Sequence, residues 1–144
     1  MVPDSDLTYD LELLAITVAP PPPPNLTRPP RKATRLPSGV TLDVLVKGSG
    51  KERPDATARV GLHYSAWTEK GMLFESTVLA GNPVTETMSE LLPGLREGVF
   101  QMVAGEKARL WIPASLAFGD HPRRGAPAGP VVYDVQLLAV QRGP

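Results

Sequence analysis

Three side chains near the C-terminal end of the sequence have the types found in a nucleophilic triad: Ser115, Asp120 and His121. A triad needs a serine beside a base that a carboxylate orients, and many hydrolases present the serine on a sharp strand-to-helix turn. These three residues instead follow one another within one short loop, and no such turn surrounds Ser115. The sequence therefore gives little support to acyl transfer.

Two other patterns that could do chemistry each lack a required residue. The stretch "KGSGKE" has the glycines and lysine of a phosphate-binding loop, but Leu45 stands where the first glycine belongs and Glu52 follows the lysine. Two histidines without any cysteine give no metal-ligand spacing. His63 is predicted to be an ordinary strand histidine that faces away from its neighbours. We therefore predict neither a metal nor a cofactor.

What remains is a set of aromatic and aliphatic residues that is scattered along the chain. Such a set is typical of a plain hydrophobic core, and it is equally what lines a pocket for an apolar ligand. The residue types alone leave both interpretations open. The members of the set are Tyr64, Phe74, Leu91, Leu92, Leu95, Phe118 and Tyr133.

Alternating apolar residues predict the strands that must position this set. Alternation places the apolar residues of a strand on one face, which another layer has to cover. The predicted faces are Val40, Leu42, Val44 and Val46; Val60, Leu62 and Tyr64; Ala108, Leu110 and Ile112; and Val131, Tyr133, Val135 and Leu137.

One helix is predicted to cover these faces, in "LPGLREGVFQMVAGEK". Leu95, Val99 and Met102 recur at helical spacing, Pro93 lies near the start, where a missing N–H is tolerated, and Gly105 can end the helix. The predicted class is α+β, with one amphipathic helix packed on one antiparallel sheet.

Composition limits the classes of partner. The 144 residues are 42% apolar, and Lys and Arg balance Asp and Glu at 15 each. No apolar run approaches the roughly 18 residues that a membrane span needs, and the balanced charge argues against a nucleic acid partner. We expect a cytoplasmic protein, without a nucleic acid or membrane partner.

Prolines mark a boundary in the first quarter of the chain. Eight of the 17 prolines fall between Pro20 and Pro37. Successive prolines favour polyproline II, which serves as a semi-rigid spacer and also as a ligand for aromatic grooves. Residues 20–35 are therefore predicted to be a linker, and four basic residues near its end are either solvated linker charge or a contact for an acidic surface.

A short internal repeat connects the two ends of the sequence. "LTYDLELLAI" at residues 7–16 reappears as "VVYDVQLLAV" at residues 131–140, with most differences exchanging one aliphatic residue for another. Repeats point to duplicated units, yet only the second copy is preceded by a domain that it could close, and nothing comparable stands before the first. The first copy is either a remnant of a preceding domain or an unrelated N-terminal strand.

Three further segments give the chain a resemblance to a known family. "VGLHYSAWTEKGMLFEST", "LLPGLREGVFQMVAGEKARLWIP", and "LAFG" followed by "VVYDVQLLAV" resemble, in family order, the motifs of the FKBP-type peptidyl-prolyl isomerases. The resemblance spans roughly residues 36–141. It implies a curved antiparallel sheet wrapped around one short helix, with a hydrophobic pocket between them.

The resemblance also implies the residues of the pocket. Tyr64, Phe74 and Tyr133 match aromatic positions of the family, and Leu91 and Leu92 stand where Val and Ile form a wall and supply backbone groups. Four positions depart from the family, since Glu75 replaces Asp, Leu95 replaces the Trp of the pocket floor, Phe118 replaces a Tyr, and Glu86 takes the place of a second aromatic residue. The loop after Phe118 also lacks the usual Ile-Pro-Pro.

In family terms, the implied function is catalysis of X-Pro bond rotation in folding proteins, with proline-containing client segments as substrates. Macrolides such as rapamycin are the implied ligands, and the departures predict that they bind weakly. The rival interpretation is a catalytically weak binding or chaperone module of the same fold.

The repeat then suggests the C-terminal part of a tandem FKBP chain. In this interpretation residues 1–19 carry the last strand of a preceding domain, residues 20–35 are the linker, and residues 36–141 are the isomerase domain. A monomer is expected. Because the strand at 7–16 carries much apolar surface, we expect it to dock on a sheet edge of its own or of a neighbouring molecule.

Overall fold

The computed structural model describes residues 19–119 and 126–142. The predicted strand at residues 7–16 lies outside these ranges, as do Asp120 and His121. Within them, the chain forms one antiparallel sheet with helical segments, so the predicted α+β class is confirmed.

Seven strands of the described residues form this sheet. They lie in the order β1-β2-β6-β7-β3-β4. The strand β5 pairs with the same edge of β3 as β4 does, but β5 pairs with residues 59–62 and β4 with residues 65–67. All pairs are antiparallel. The strands are β1 (Thr34–Arg35), β2 (Thr41–Val46), β3 (Arg59–Thr68), β4 (Leu73–Ser76), β5 (Val84–Thr87), β6 (Lys107–Ile112) and β7 (Val131–Gln141).

The two longest strands, β3 and β7, pair along almost their whole length and form the centre of the sheet. Val60, Leu62 and Tyr64 of β3 are buried, as predicted, and so are the predicted faces of β6 and β7. These faces meet the helix α2 (Pro93–Val99) in one core. The sheet therefore curves around this helix, and the predicted sheet-and-helix arrangement is confirmed.

The helix α2 is shorter than its sequence pattern predicts. It begins with Pro93 and ends at Val99, rather than at Gly105. The N–H groups of Gln101 and Met102 bond to carbonyls only three residues earlier, which tightens the chain out of the helix. Met102 remains buried as predicted, but it follows the helix.

Gly105 turns the chain back to the sheet. Its φ of +91° lies in the left-handed region, and its N–H donates to the carbonyl oxygen of Leu137 at 2.7 Å. Because this N–H bonds to β7, it cannot continue a helix. The glycine that was predicted to end α2 instead ends the turn after it.

A second helix was not predicted. The one-turn helix α1 (Thr77–Ala80) directly follows β4. Oγ of Ser76 accepts a hydrogen bond from the Leu79 N–H at 3.0 Å, and Gly81 ends the turn with a φ of +89°. Two 3-10 turns, Met88–Glu90 and Ala114–Leu116, also lie between strands. The prediction of a single helical element was therefore incomplete.

The predicted face of β2 is wrong at its second half. Val40 and Leu42 are buried, but Val44 is 37% exposed and Val46 is 53% exposed. The pairing of β2 with β6 shifts register only after Val44, so the shift accounts for the exposure of Val46 and not for that of Val44.

The predicted linker, residues 20–35, contacts the sheet. Its last two residues form β1 and pair with β2. Farther upstream, the carbonyl oxygen of Asn25 accepts a hydrogen bond from Nε1 of Trp111 at 2.8 Å, and Pro23 is buried. The part of the chain that packs on the sheet thus begins before residue 36, where the prediction placed the start of the domain. We call residues 20–30 the strap.

The strap meets the outer face of the sheet. Trp67, Val132 and Trp111 lie side by side on β3, β7 and β6, and each is at most 8% exposed. None of the three belongs to the main core. Both tryptophans therefore lie in a second apolar layer, on the side of the sheet opposite to α2.

Candidate functional site

A cavity of about 230 Å³ opens at one end of the inner face of the sheet. Residues from four strands, from α2 and from turns next to it converge on the cavity: Tyr64 of β3, Glu75 of β4, Glu86 of β5, Glu90 of the 3-10 turn, Leu91 and Leu92 before α2, Leu95 of α2, Phe118 after the second 3-10 turn, and Tyr133 of β7. Seven of the eight residues that the resemblance implies are brought together here.

Phe74, the eighth, supports the cavity wall without lining it. Its ring meets the ring of Phe118 edge-on at a centroid distance of 5.8 Å, and that of Tyr133 at 6.1 Å. The ring of Tyr133 in turn lies 5.6 Å from that of Tyr64. Tyr64, Tyr133 and Phe118 thus form the aromatic wall, and Phe74 supports it through two edge-on contacts.

The floor of the cavity is aliphatic. Leu95 is 3% exposed and belongs to the face of α2 that packs on the sheet. On the same face, Gly94 and Gly98 let the helix approach β6 so closely that a Cβ at Gly98 would lie 2.5 Å from the side chain of Leu110. The helix and the sheet together therefore hold Leu95 at a fixed depth.

Tyr64 is held at both of its ends. Its hydroxyl donates to Oε2 of Glu75 at 3.0 Å, and its backbone N–H donates to Oγ1 of the buried Thr77 at 2.7 Å. Thr77 Oγ1 also lies 2.7 Å from Nδ1 of His63 and 3.2 Å from the Tyr64 carbonyl oxygen, and its single hydrogen serves one of these acceptors. Thr77 thus ties β3 to the start of α1.

Burial keeps the two pocket phenols protonated. Burial is the largest cause that raises the pKa of Tyr64, followed by the charge of Glu75. Burial likewise raises the pKa of Tyr133, with Glu75 as the second cause. Both phenols therefore stay protonated to a higher pH than an exposed tyrosine does, and the hydroxyl hydrogen of Tyr64 remains bonded to Glu75.

One backbone donor is also available at the cavity. The N–H of Leu91 closes the 3-10 turn by donating to the carbonyl oxygen of Met88 at 3.2 Å. Within the described residues, no backbone bond uses the N–H of Leu92, although its carbonyl oxygen accepts from Arg96 at the start of α2. Leu92 can therefore donate to a ligand.

The sequence interpretation did not assign roles to Thr77, Glu86 or Glu90. Thr77 follows Glu75 in "FEST", in the last position of the first motif, so its place in that motif was an available signal. Glu86 had a signal as well, because the resemblance aligns it with a pocket position, whereas only the folded chain shows that Glu90, in the turn after β5, reaches the cavity.

The alternatives considered for the sequence gain no support from the described residues. Ser115 is exposed on a 3-10 turn, and no three metal-ligand side chains group together in residues 19–119 and 126–142. In the same ranges no helix has both the length and the apolar character for a membrane span. His63 bonds to Thr77, as an ordinary strand histidine does.

The comparisons with known proteins agree with this geometry. Residues 50–138 match the family model of the FKBP-type peptidyl-prolyl cis-trans isomerases. The chain is 38% identical over 106 residues to the FKBP-type peptidyl-prolyl cis-trans isomerase FkpA of Aeromonas hydrophila. This alignment covers 73% of this chain and 39% of that protein. It is 35% identical over 106 residues to FK506-binding protein 1 of Candida glabrata, covering 71% of this chain and 93% of that protein.

A solved structure shows the same fold. The crystal structure of FkpA from Escherichia coli superposes with a TM-score of 0.74 at 28% identity, over 80% of this chain and 54% of that chain. The chain thus spans well under half of the Aeromonas relative and about half of the Escherichia coli one.

Proposed function

Because the chain belongs to the FKBP-type peptidyl-prolyl cis-trans isomerase family, we propose that it accelerates the rotation of X-Pro peptide bonds in client proteins. The observation that carries the proposal is the cavity of about 230 Å³ with a leucine floor and an aromatic wall. It is an apolar site with a few hydrogen-bond donors, which is what this reaction needs.

The reaction makes and breaks no bond to another atom. Amide resonance sets a barrier of about 18–20 kcal/mol, and uncatalysed X-Pro isomerisation takes tens to hundreds of seconds. A catalyst therefore has to bind the twisted amide more tightly than either planar isomer. The twisted amide is less polarised, so a dry aromatic wall favours it over the planar forms.

Each residue of the cavity has a role in this proposal. Tyr133 and Phe118 enclose the prolyl ring above the Leu95 floor, and Phe74 holds both rings in place. The Leu92 N–H donates to a carbonyl of the peptide and fixes its direction. Tyr64 forms the remaining wall, and Glu75 holds it through its hydroxyl.

A protease-coupled assay on a Leu-Pro tetrapeptide tests the proposal. We expect the cis-to-trans rate to rise in proportion to protein concentration. Phe74→Ala should lower kcat/KM, because it removes the support of two pocket rings, whereas Met72→Ala, at a side chain that is 68% exposed, should not. A rate that stays at its uncatalysed value at high protein concentration would reject the isomerase function.

The second candidate function is a binding or chaperone module. Leu95, Phe118 and Glu86 favour it, because each departs from the family pattern at the cavity. Such a module binds proline peptides without accelerating their isomerisation, so an NMR titration with the same tetrapeptide separates the two functions.

We also propose proline-containing segments of clients as the partners, with macrolides as weak ligands. One relative is named for binding FK506. The small leucine floor and the missing phenol at position 118 offer such a ligand less contact, so displacement of the tetrapeptide by rapamycin should need a high concentration.

Three further proposals rest on the sequence. The repeat at residues 7–16 supports a tandem arrangement, in which this chain is the C-terminal domain, and mass spectrometry of the native protein tests it.

The chain is a monomer unless the strand at 7–16 exchanges between copies, which sedimentation would reveal. The cytoplasmic location stays a prediction, which cell fractionation tests.

A further inference from the structure

The rim of the cavity is acidic. Three of the nine residues that line it are glutamates, namely Glu75, Glu86 and Glu90. Among the described residues, no lysine or arginine lines the cavity, and none of the three glutamates forms an ion pair. The described lining of the proposed peptide site therefore carries negative charge that an apolar X-Pro segment does not use.

The three carboxylates differ in what already holds them. Glu75 accepts the hydroxyl hydrogen of Tyr64, so one of its oxygens has a partner. Glu90 is exposed, and the guanidinium of Arg96 donates to the carbonyl of the preceding residue, Ser89, at 3.1 Å. A positive charge thus lies near the Glu90 backbone. Glu86 forms no side-chain hydrogen bond and no ion pair among the described residues.

Glu86 also has the position of a core residue. Its cross-strand partner on β3 is Val60, which is fully buried, and cross-strand partners share a face of the sheet. Its side chain is accordingly half-buried on the inner face, whereas its neighbours Thr85 and Thr87 alternate to the other side. After burial and the charge of Glu75, the charge of Glu86 further raises the pKa of Tyr64, which places its carboxylate near the aromatic wall.

We propose that Glu86 makes the pocket select proline segments in which a lysine or arginine stands next to the proline. This inference rests on the proposed function, because it concerns the substrates of the same pocket. The long aliphatic stem of a lysine or arginine can lie along the aromatic wall while its charged end reaches the carboxylate. The rings themselves also attract a cation that lies over their faces.

The partial burial of Glu86 determines how strongly the pocket should prefer a Lys-Pro substrate. Exposed ion pairs contribute little, because water and salt screen them, whereas a pair at a partly desolvated rim is screened less. We therefore expect a Lys-Pro substrate to exceed its neutral counterpart by about threefold to tenfold in kcat/KM.

The experiment compares peptides of the form acetyl-Ala-Xaa-Pro-Phe-p-nitroanilide, in which the acetyl group avoids an N-terminal charge. Xaa is lysine, norleucine, which has the same stem without the charge, or glutamate. In the parent protein kcat/KM should fall in the order lysine, norleucine, glutamate, and 1 M NaCl should reduce the differences. Equal values for lysine and norleucine would overturn the proposal.

Two variants locate the effect. Glu86→Gln should bring the ratio of the lysine to the norleucine peptide close to one. Glu69→Gln removes the same charge from an exposed residue that does not line this cavity, so it should leave the ratio unchanged. A ratio that survives in Glu86→Gln, or falls equally in Glu69→Gln, contradicts the assignment to Glu86.

Failure of the proposed function gives a different result. If no peptide is isomerised faster than in buffer, the isomerase function itself is rejected. If Glu86→Gln alone loses all activity, the same ratio is measured from the dissociation constants of the two peptides in an NMR titration, and an unchanged ratio there overturns the proposal.

Discussion

Thr77 is the residue on which the geometry of Tyr64 depends. Its hydroxyl is buried and accepts the Tyr64 N–H at 2.7 Å, and it lies at the same distance from Nδ1 of His63. A backbone N–H that loses its partner in a buried position costs about 1–3 kcal/mol. The position of one pocket wall therefore rests on a side chain that does not touch the cavity.

Thr77→Val should lower the free energy of unfolding by about 1–3 kcal/mol, because the valine keeps the shape of threonine but removes the acceptor. Urea denaturation measures this change. Thr77→Ser keeps the hydroxyl and serves as the control, with a smaller loss from the missing methyl group. A Thr77→Val protein as stable as the parent would show that the two hydrogen bonds contribute nothing.

Leu95 and Phe118 are the residues expected to limit catalysis. Leu95→Trp would fill part of the cavity of about 230 Å³, and Phe118→Tyr would add a hydroxyl donor at its edge. One neutral hydrogen bond contributes about 0.5–1.5 kcal/mol, so the Tyr change alone should raise kcat/KM by roughly twofold to tenfold. The coupled assay measures both variants, and a lower kcat/KM in both would show that the cavity is already filled to suit its substrate.

Most of the individual residues that line the cavity could be predicted from the sequence. Tyr64, Leu92 and Tyr133 each stand at a fixed position within a family motif. Because the motifs here have the family's spacing, the positions of these residues in the cavity could be predicted from the sequence. Phe74 contacts two rings of the wall and does not line the cavity, so its role in the site stays a prediction. Glu86 was aligned to a pocket position but received no role.

The strap is the element that the sequence pattern described least well. Successive prolines indicate an extended segment, and residues 20–30 are indeed without a helix or strand. The contact that ties the strap to the sheet joins Asn25 to Trp111, which are 86 positions apart. Local patterns contain no information about such a contact. The end of α2 escaped prediction for a similar reason, because the bond from Gly105 to Leu137 is long-range.

Removal of residues 1–35 should leave a cooperative unfolding transition, because the main core lies within residues 36–141. The transition should occur at lower stability, by about 2–4 kcal/mol, since the deletion removes the Asn25–Trp111 hydrogen bond and the pairing of β1 with β2, and exposes apolar surface around Trp111. Calorimetry and urea denaturation measure both properties.

Trp111→Phe in the full chain is the matched control for this deletion. It removes the Nε1–H donor and part of the indole surface but keeps the strap and β1, so it should lower the stability by less than the deletion does. A truncated protein that is as stable as the parent would show that the strap contributes nothing to the fold. A gradual transition without cooperativity would show that the strap is part of the core.

For the whole molecule, the buried phenols predict how stability depends on pH. Burial raises the pKa of Tyr133 and of Tyr64 above their ordinary value of 10.0. The folded chain therefore keeps these protons at a pH where the unfolded chain releases them. Their contribution to stability is complete below pH 10 and is lost as the pH rises above 10.

We expect the free energy of unfolding to fall between pH 10 and pH 11, by up to about 1.4 kcal/mol per pH unit for a fully buried tyrosine such as Tyr133. Tyr64, at the rim of the cavity, should contribute less, because solvent screens it. Urea denaturation across this range measures the slope. Tyr64→Phe should make the slope shallower, and a flat profile in the parent protein would contradict the prediction.

The placement of the two tryptophans has a consequence for spectroscopy. Trp67 and Trp111 are the only tryptophans of the sequence, and both lie on the outer face, while a leucine forms the pocket floor. Indole emission therefore reports the strap side of the sheet and is blind to the cavity. A peptide that fills the pocket should leave the fluorescence spectrum unchanged, whereas loosening of the strap should shift it to longer wavelength. Tryptophan fluorescence of this protein therefore reports on the outer layer, and occupancy of the pocket has to be observed with a label on the ligand.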